Sequence, residues 1–113
     1  MGPRKNINHK DLKPINIKNV YLGTGMLWFG WLGFNGGSEL AINARSVNAV
    51  VCSILSGCAA AITWILVEMA FERKKKISLN GFCAGAITGL VAITPAAGFV
   101  QPKYSVAIGF IGT

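Results

Sequence analysis

Residues 20–42 of this chain carry one charged side chain, Glu39; residues 47–71 carry one, Glu68; residues 79–100 carry none. Each run exceeds the roughly 20 residues needed to cross a bilayer hydrocarbon core about 30 Å thick. Within that core a single segment satisfies its own backbone hydrogen bonds only as a helix. The chain is therefore expected to be all-α, a polytopic transmembrane helix bundle with spans at about 20–42, 47–71 and 79–100. A fourth apolar run, 104–113, is too short to cross and is read as a truncated span. The whole is then expected to be a segment of something longer, with a genuine short protein as the other option.

The remaining residues are polar and mostly basic. Residues 1–19 hold five Lys and Arg against a single Asp, with Pro3 and Pro14 disfavouring a continuous helix, and are expected to be a cytoplasmic loop. Arg73, Lys74, Lys75 and Lys76 form a tetrabasic loop between the second and third spans; Arg45 and Lys103 are the only basic residues of the other side. Nine against two places the first side in the cytoplasm, so the first span runs from inside to outside. The net charge of +7 raises nucleic acid as a partner, but these basic residues form no face with interleaved aromatics, and a bilayer explains charge and apolar runs together. The three cysteines, Cys52, Cys58 and Cys83, sit inside apolar runs without CxxC spacing, so neither a disulfide framework nor a zinc site is expected. No metal or cofactor is called for.

Small residues recur at helical spacing. Gly81, Gly85 and Gly89 make a stripe on the third span along which a neighbouring backbone can approach closely, and Ser53, Gly57 and Ala61 repeat the pattern on the second. On the first span, at 100° per residue, Gly23, Gly30, Gly33 and Gly37 fall within about 80° of one another. Leu27, Trp31, Phe34 and Ser38 fall within about 60° on an adjacent face. With Val20 at the cytoplasmic edge, a rise of about 1.5 Å per residue places Phe34 about 21 Å and Ser38 about 27 Å across the core. Two readings of that face stay open from the residues alone. One is an outer vestibule for a small cation, where a hydroxyl accepts an N–H and aromatic faces supply cation–π attraction. The other is a buried aromatic helix whose Ser38 bonds its own backbone.

At these residues the sequence resembles a known family, the ammonium transporters (Amt/Mep/Rh). "WFGWLGFNGGS" is similar to the family's sixth transmembrane helix and "GAITGLVAITPAAGFV" to its eighth; the resemblance covers residues 20–113 and points to Mep-type members. It implies a partial ammonium transporter fold, in which spans one to three are helices six to eight and the last run begins helix nine. The family's fold is a homotrimer of eleven-helix subunits, each with its own pore. It further implies that Phe34 belongs to the gate at the outer mouth, that Ser38 recruits ammonium above it, and that Trp31 lines the pore below. The implied partners are ammonium or ammonia and the lipid bilayer, the implied place the plasma membrane, and the implied activity transport rather than enzymatic catalysis. The family's paired pore histidines lie on its fifth and tenth helices, and the only histidine here is His9 in the polar loop. Glu39 departs from the small residue expected after the serine. The alternative is a non-transporting membrane interaction protein, or a truncated gene product, that keeps only the packing faces.

Overall fold

The computed structural model describes residues 16–71 and 77–113, which form four helices: α1 (Ile17–Gly37), α2 (Ala44–Phe71), α3 (Leu79–Ile93) and α4 (Pro102–Ile111). There is no strand among the described residues, and the architecture is a partial all-α membrane bundle. Arg73, Lys74, Lys75, Lys76 and nearly all of the N-terminal polar loop lie outside the described residues.

Local side-chain chemistry sets the helix ends, and it moves several of them from where the apolar runs begin and stop. The polar loop gives way to helix at residue 17 because the Asn16 side chain caps α1, accepting from the Lys18 and Asn19 amides. The apolar run continues to residue 42, yet α1 ends at Gly37. Two consecutive glycines weaken the last turn, and Leu40 then takes a left-handed φ of 53° that breaks the helix. Residue 44 rather than 47 starts α2, because Asn43 and Ser46 cap each other reciprocally: Asn43 Oδ1 accepts from the Ser46 amide at 3.0 Å, and Ser46 Oγ from the Asn43 amide at 3.2 Å. The third run also shortens. α3 stops at Ile93, since Pro95 has no N–H to continue the ladder, and residues 94–100 fold as successive turns around Gly98 at φ 84°. Pro102 opens α4 at a helix start, where its missing N–H has no cost.

α2 is the central helix, and among the described helices it alone is both long and apolar enough to cross a membrane, with a mean hydropathy of 2.2. Its Ser56 is fully buried between two glycines: a Cβ on Gly89 of α3 or on Gly109 of α4 would fall within 3 Å of the Ser56 backbone. The Ser56 hydroxyl donates to the Gly89 carbonyl at 2.8 Å across this close approach. Gly85 abuts Ala60, Ala61 and Trp64, and Gly81 abuts Trp64 and Glu68. In lipid, where burial offers little drive between helices, such backbone proximity and interhelical hydrogen bonding are what hold a bundle together.

The glycines of α1 behave differently. A Cβ on Gly23, Gly30, Gly33 or Gly37 would have nothing within 4 Å, so among the described residues these glycines pack on nothing. The contact with α2 is made instead by Trp28, whose ring packs on Gly57, by Gly36, which faces Val50, and by buried Asn35. Leu22, Met26 and Phe29 of α1 are likewise exposed, Phe29 by 80%. An apolar face of that size does not stand in water.

At one end of the bundle the α1–α2 turn meets the α3–α4 turn. Asn48 Nδ2 donates to the Val100 carbonyl at 2.9 Å, and the Arg45 guanidinium lies 5.1 Å from the centre of the Phe99 ring. About 35 Å further along α2, by helical rise, Glu68 Oε2 accepts from the Ser78 amide at the start of α3.

Candidate functional site

The last two turns of α1 carry Trp31, Phe34 and Ser38 on one face. Trp31 is fixed by its indole N–H, which donates to Thr94 Oγ1 at 2.8 Å; the Thr94 hydroxyl donates in turn to the Leu90 carbonyl at 2.8 Å. This relay ties the aromatic face of α1 to the end of α3. The Phe34 ring stands 5.8 Å from the Trp31 ring with the planes at 58°, a tilted arrangement in the favourable range for aromatic pairs. Phe34 is 59% exposed among the described residues.

Ser38 is the C-cap of α1, and its hydroxyl donates to the Phe34 carbonyl one turn back. A hydroxyl has one proton and two acceptor lone pairs. This is the backbone bond expected of the buried-helix reading, and Thr24, Ser53, Thr63 and Thr94 make the same one; the lone pairs left on Ser38 Oγ can still accept from a ligand. Its partner in such a contact must be an N–H or O–H donor.

Two cavities meet at Phe34. The polar one, about 290 Å³, is bounded by Phe34, Asn35, Ser38, Glu39, Arg45 and Phe99 among others. The apolar one, about 230 Å³, is an open depression on α1 alone, lined by Met26, Leu27, Gly30, Trp31 and Phe34. Phe34 thus belongs to both, with polar groups on one side and apolar walls on the other. A larger groove of about 440 Å³ runs between α1 and α2, but Ser46 is its only polar side chain, and that hydroxyl is engaged in the Asn43 cap. It has nothing to offer a cation.

Several residues of the polar cavity carry no signal that sequence reasoning picked up as a site. Asn35 is 7% exposed and donates from Nδ2 to Ser53 Oγ at 2.8 Å; Ser53 passes its own proton to the Ala49 carbonyl at 2.7 Å. This buried pair pins the C-terminal end of α1 to α2. An amide inside an apolar run is the available clue, because buried polar groups are almost always hydrogen-bonded. Arg45 was legible only as a loop charge, and Phe99 only as a residue near a helix exit. Their meeting depends on the turns after Pro95, which bring residues far apart in sequence together.

Glu39 lies beside Ser38 in the same cavity. Its Oε1 accepts from Asn43 Nδ2 at 3.1 Å and from Arg45 Nη1 at 3.5 Å, while Arg45 leans over Phe99. The cavity therefore combines a hydroxyl acceptor, a carboxylate, and the faces of Phe34 and Phe99.

Known proteins resemble this chain over nearly its whole length. The model of the Ammonium Transporter Family matches residues 1–113. "Ammonium transporter 2" of Schizosaccharomyces pombe is 46% identical over 111 residues, an alignment covering 98% of this chain and 22% of that protein. "Ammonium transporter Amt1" of Archaeoglobus fulgidus is 41% identical, over 98% of this chain and 28% of that protein. The crystal structure of Candida albicans Mep2 superposes with a TM-score of 0.84 at 45% identity, covering 88% of this chain and 22% of that one. The chain thus spans about a quarter of the length of these relatives, in one continuous block that includes the whole Phe34–Ser38 region. It belongs to the ammonium transporter family.

Proposed function

We propose that this chain forms part of the wall of an ammonium or ammonia conduit in a membrane, with the Ser38 end of α1 at the outer mouth. The observation that carries this reading is Phe34, shared by a polar cavity that Ser38 also lines and by an apolar depression. Ammonium donates on all sides, and the Ser38 hydroxyl oxygen keeps a lone pair to accept from it. The Phe34 face adds cation–π attraction of about 0.5–2 kcal/mol, which offsets part of the water lost, while the Phe99 face is already taken by Arg45. Past Phe34 the walls are apolar, and an isolated charge there is strongly disfavoured. An apolar passage of this kind favours the neutral ammonia form, with the proton given up to water on the Ser38 side.

The remaining pieces follow from membership and from unfilled surfaces. The bare glycine face of α1 and its exposed Leu22, Met26 and Phe29 fit against further helices of a complete bundle, in a homotrimer. The clustering of Lys and Arg in residues 1–19 and 73–76 sets these loops in the cytoplasm, and the plasma membrane is the membrane concerned. The chain acts by conduction, with no enzymatic step.

The test is a chimera in which this chain replaces the aligned segment of the S. pombe relative, expressed in a yeast lacking its own ammonium transporters. Growth on low ammonium as sole nitrogen source is expected to be restored. A chimera that reaches the surface intact and supports no growth would count against the reading.

A further inference from the structure

We propose that Glu39 is a cation-recruiting residue of the polar cavity, one that concentrates ammonium at Ser38 by charge; this deepens the transport reading above and rests on it. Three observations place the carboxylate there. Glu39 adjoins Ser38 and lines the same cavity of about 290 Å³. Its contacts among the described residues, from Asn43 and Arg45, both fall on Oε1, which leaves Oε2 as acceptor capacity for an incoming donor. Its side chain is 25% exposed, so it is held in place without being sealed from the water that delivers the substrate.

Arg45 does not cancel this charge. The pair is separated by 3.5 Å, and the Arg45 side chain is 53% exposed. An ion pair open to solvent on its Arg45 side contributes about 0–1 kcal/mol, so it does not hold Glu39 against a second cation. Arg45 also lies over Phe99, so a tethered cation already rests against two groups that a free cation would use, an aromatic face and a carboxylate oxygen. Ammonium arriving at Ser38 meets the other carboxylate oxygen and the Phe34 face. The charge acts on capture, before the Phe34 passage, so it governs the concentration at which uptake half-saturates and leaves the maximal rate alone.

The experiment measures labelled methylammonium uptake by the chimera described above, with Glu39, Glu39→Gln and Glu39→Asp, at about 10 mM and about 150 mM ionic strength, where charges are screened over about 30 Å and about 8 Å. Gln keeps the shape and the Asn43 contact while removing the charge. Glu39→Gln, which also leaves Arg45 unpaired in the cavity, is expected to raise the half-saturating concentration about fivefold at low ionic strength with an unchanged maximal rate, the gap between the two proteins closing at the higher ionic strength. Glu39→Asp is expected to close much of that gap at low ionic strength. An unchanged half-saturation in Glu39→Gln, or a fall confined to the maximal rate, would overturn the recruiting role while leaving transport intact. Absence of uptake with Glu39 in place would instead overturn the transport reading itself.

Discussion

Gly89→Leu is expected to abolish assembly of the bundle. A Cβ at Gly89 already meets Ala60 Cβ and the Ser56 carbonyl oxygen, with Gly57 Cα at 3.1 Å, and two of these three are backbone atoms that cannot rotate aside. A leucine there must push α3 off α2, breaking the Ser56-to-Gly89 hydrogen bond and opening the interface that carries Gly85 and Gly81 as well. Overpacking a tight interior typically costs about 1–3 kcal/mol, and backbone against backbone sits at or beyond the upper end. Gly89→Ala is expected to lower the thermal midpoint of the detergent-solubilised chimera measurably, and Gly89→Leu to leave no folded protein at the cell surface. A Gly89→Leu chimera with the unaltered midpoint would show that α2 and α3 do not approach as described.

The second large effect belongs to Ser38. Replacing it with leucine removes the acceptor at the cavity floor and fills the space with an apolar side chain. The α1 end itself survives, because the cap is made by the Ser38 backbone amide donating to the Phe34 carbonyl at 3.2 Å. A lost hydrogen bond to a charged partner is worth about 1.5–3 kcal/mol. Ser38→Leu is therefore expected to reduce methylammonium uptake by about tenfold or more at low concentration, with surface abundance and melting behaviour preserved. Full uptake in that variant would remove Ser38 from the route.

The helical class was legible because it rests on a local property, the near absence of charge over runs long enough to span a bilayer. The places where helices stop were harder to read. Apolar residues continue past Gly37 and past Ile93, while the backbone turns for reasons of φ and of the missing N–H at Pro95. The Asn43–Ser46 cap was written in the sequence and passed over, hidden inside what reads as a short linker. Glycine spacing shows a second limit. The same kind of stripe occurs on α1 and α3, yet only on α3 do the described residues supply an opposing backbone. A stripe reveals that a close approach is possible and says nothing of its partner.

At the candidate site, helical periodicity brings Trp31, Phe34 and Ser38 to one face without any tertiary information. The other wall of the cavity is invisible to periodicity. Thr94 and Phe99 arrive there through the α3–α4 turns and Arg45 through the start of α2, and the Trp31-to-Thr94 hydrogen bond joins residues 63 apart. Glu39 lies between these cases: its position next to Ser38 is evident in the sequence, but the division of its contacts onto a single oxygen needs the fold.

Substrate protection at position 38 tests the conduit most directly. In a chimera freed of its other cysteines, buried Cys52 and Cys83 and exposed Cys58 among them, Ser38→Cys introduces one reactive thiol at the cavity floor. A membrane-impermeant thiol reagent added from outside is expected to label it, to block methylammonium uptake, and to react more slowly as ammonium is raised. Labelling that proceeds at the same rate with and without ammonium, and that leaves uptake untouched, would contradict a substrate route through Ser38 and Phe34.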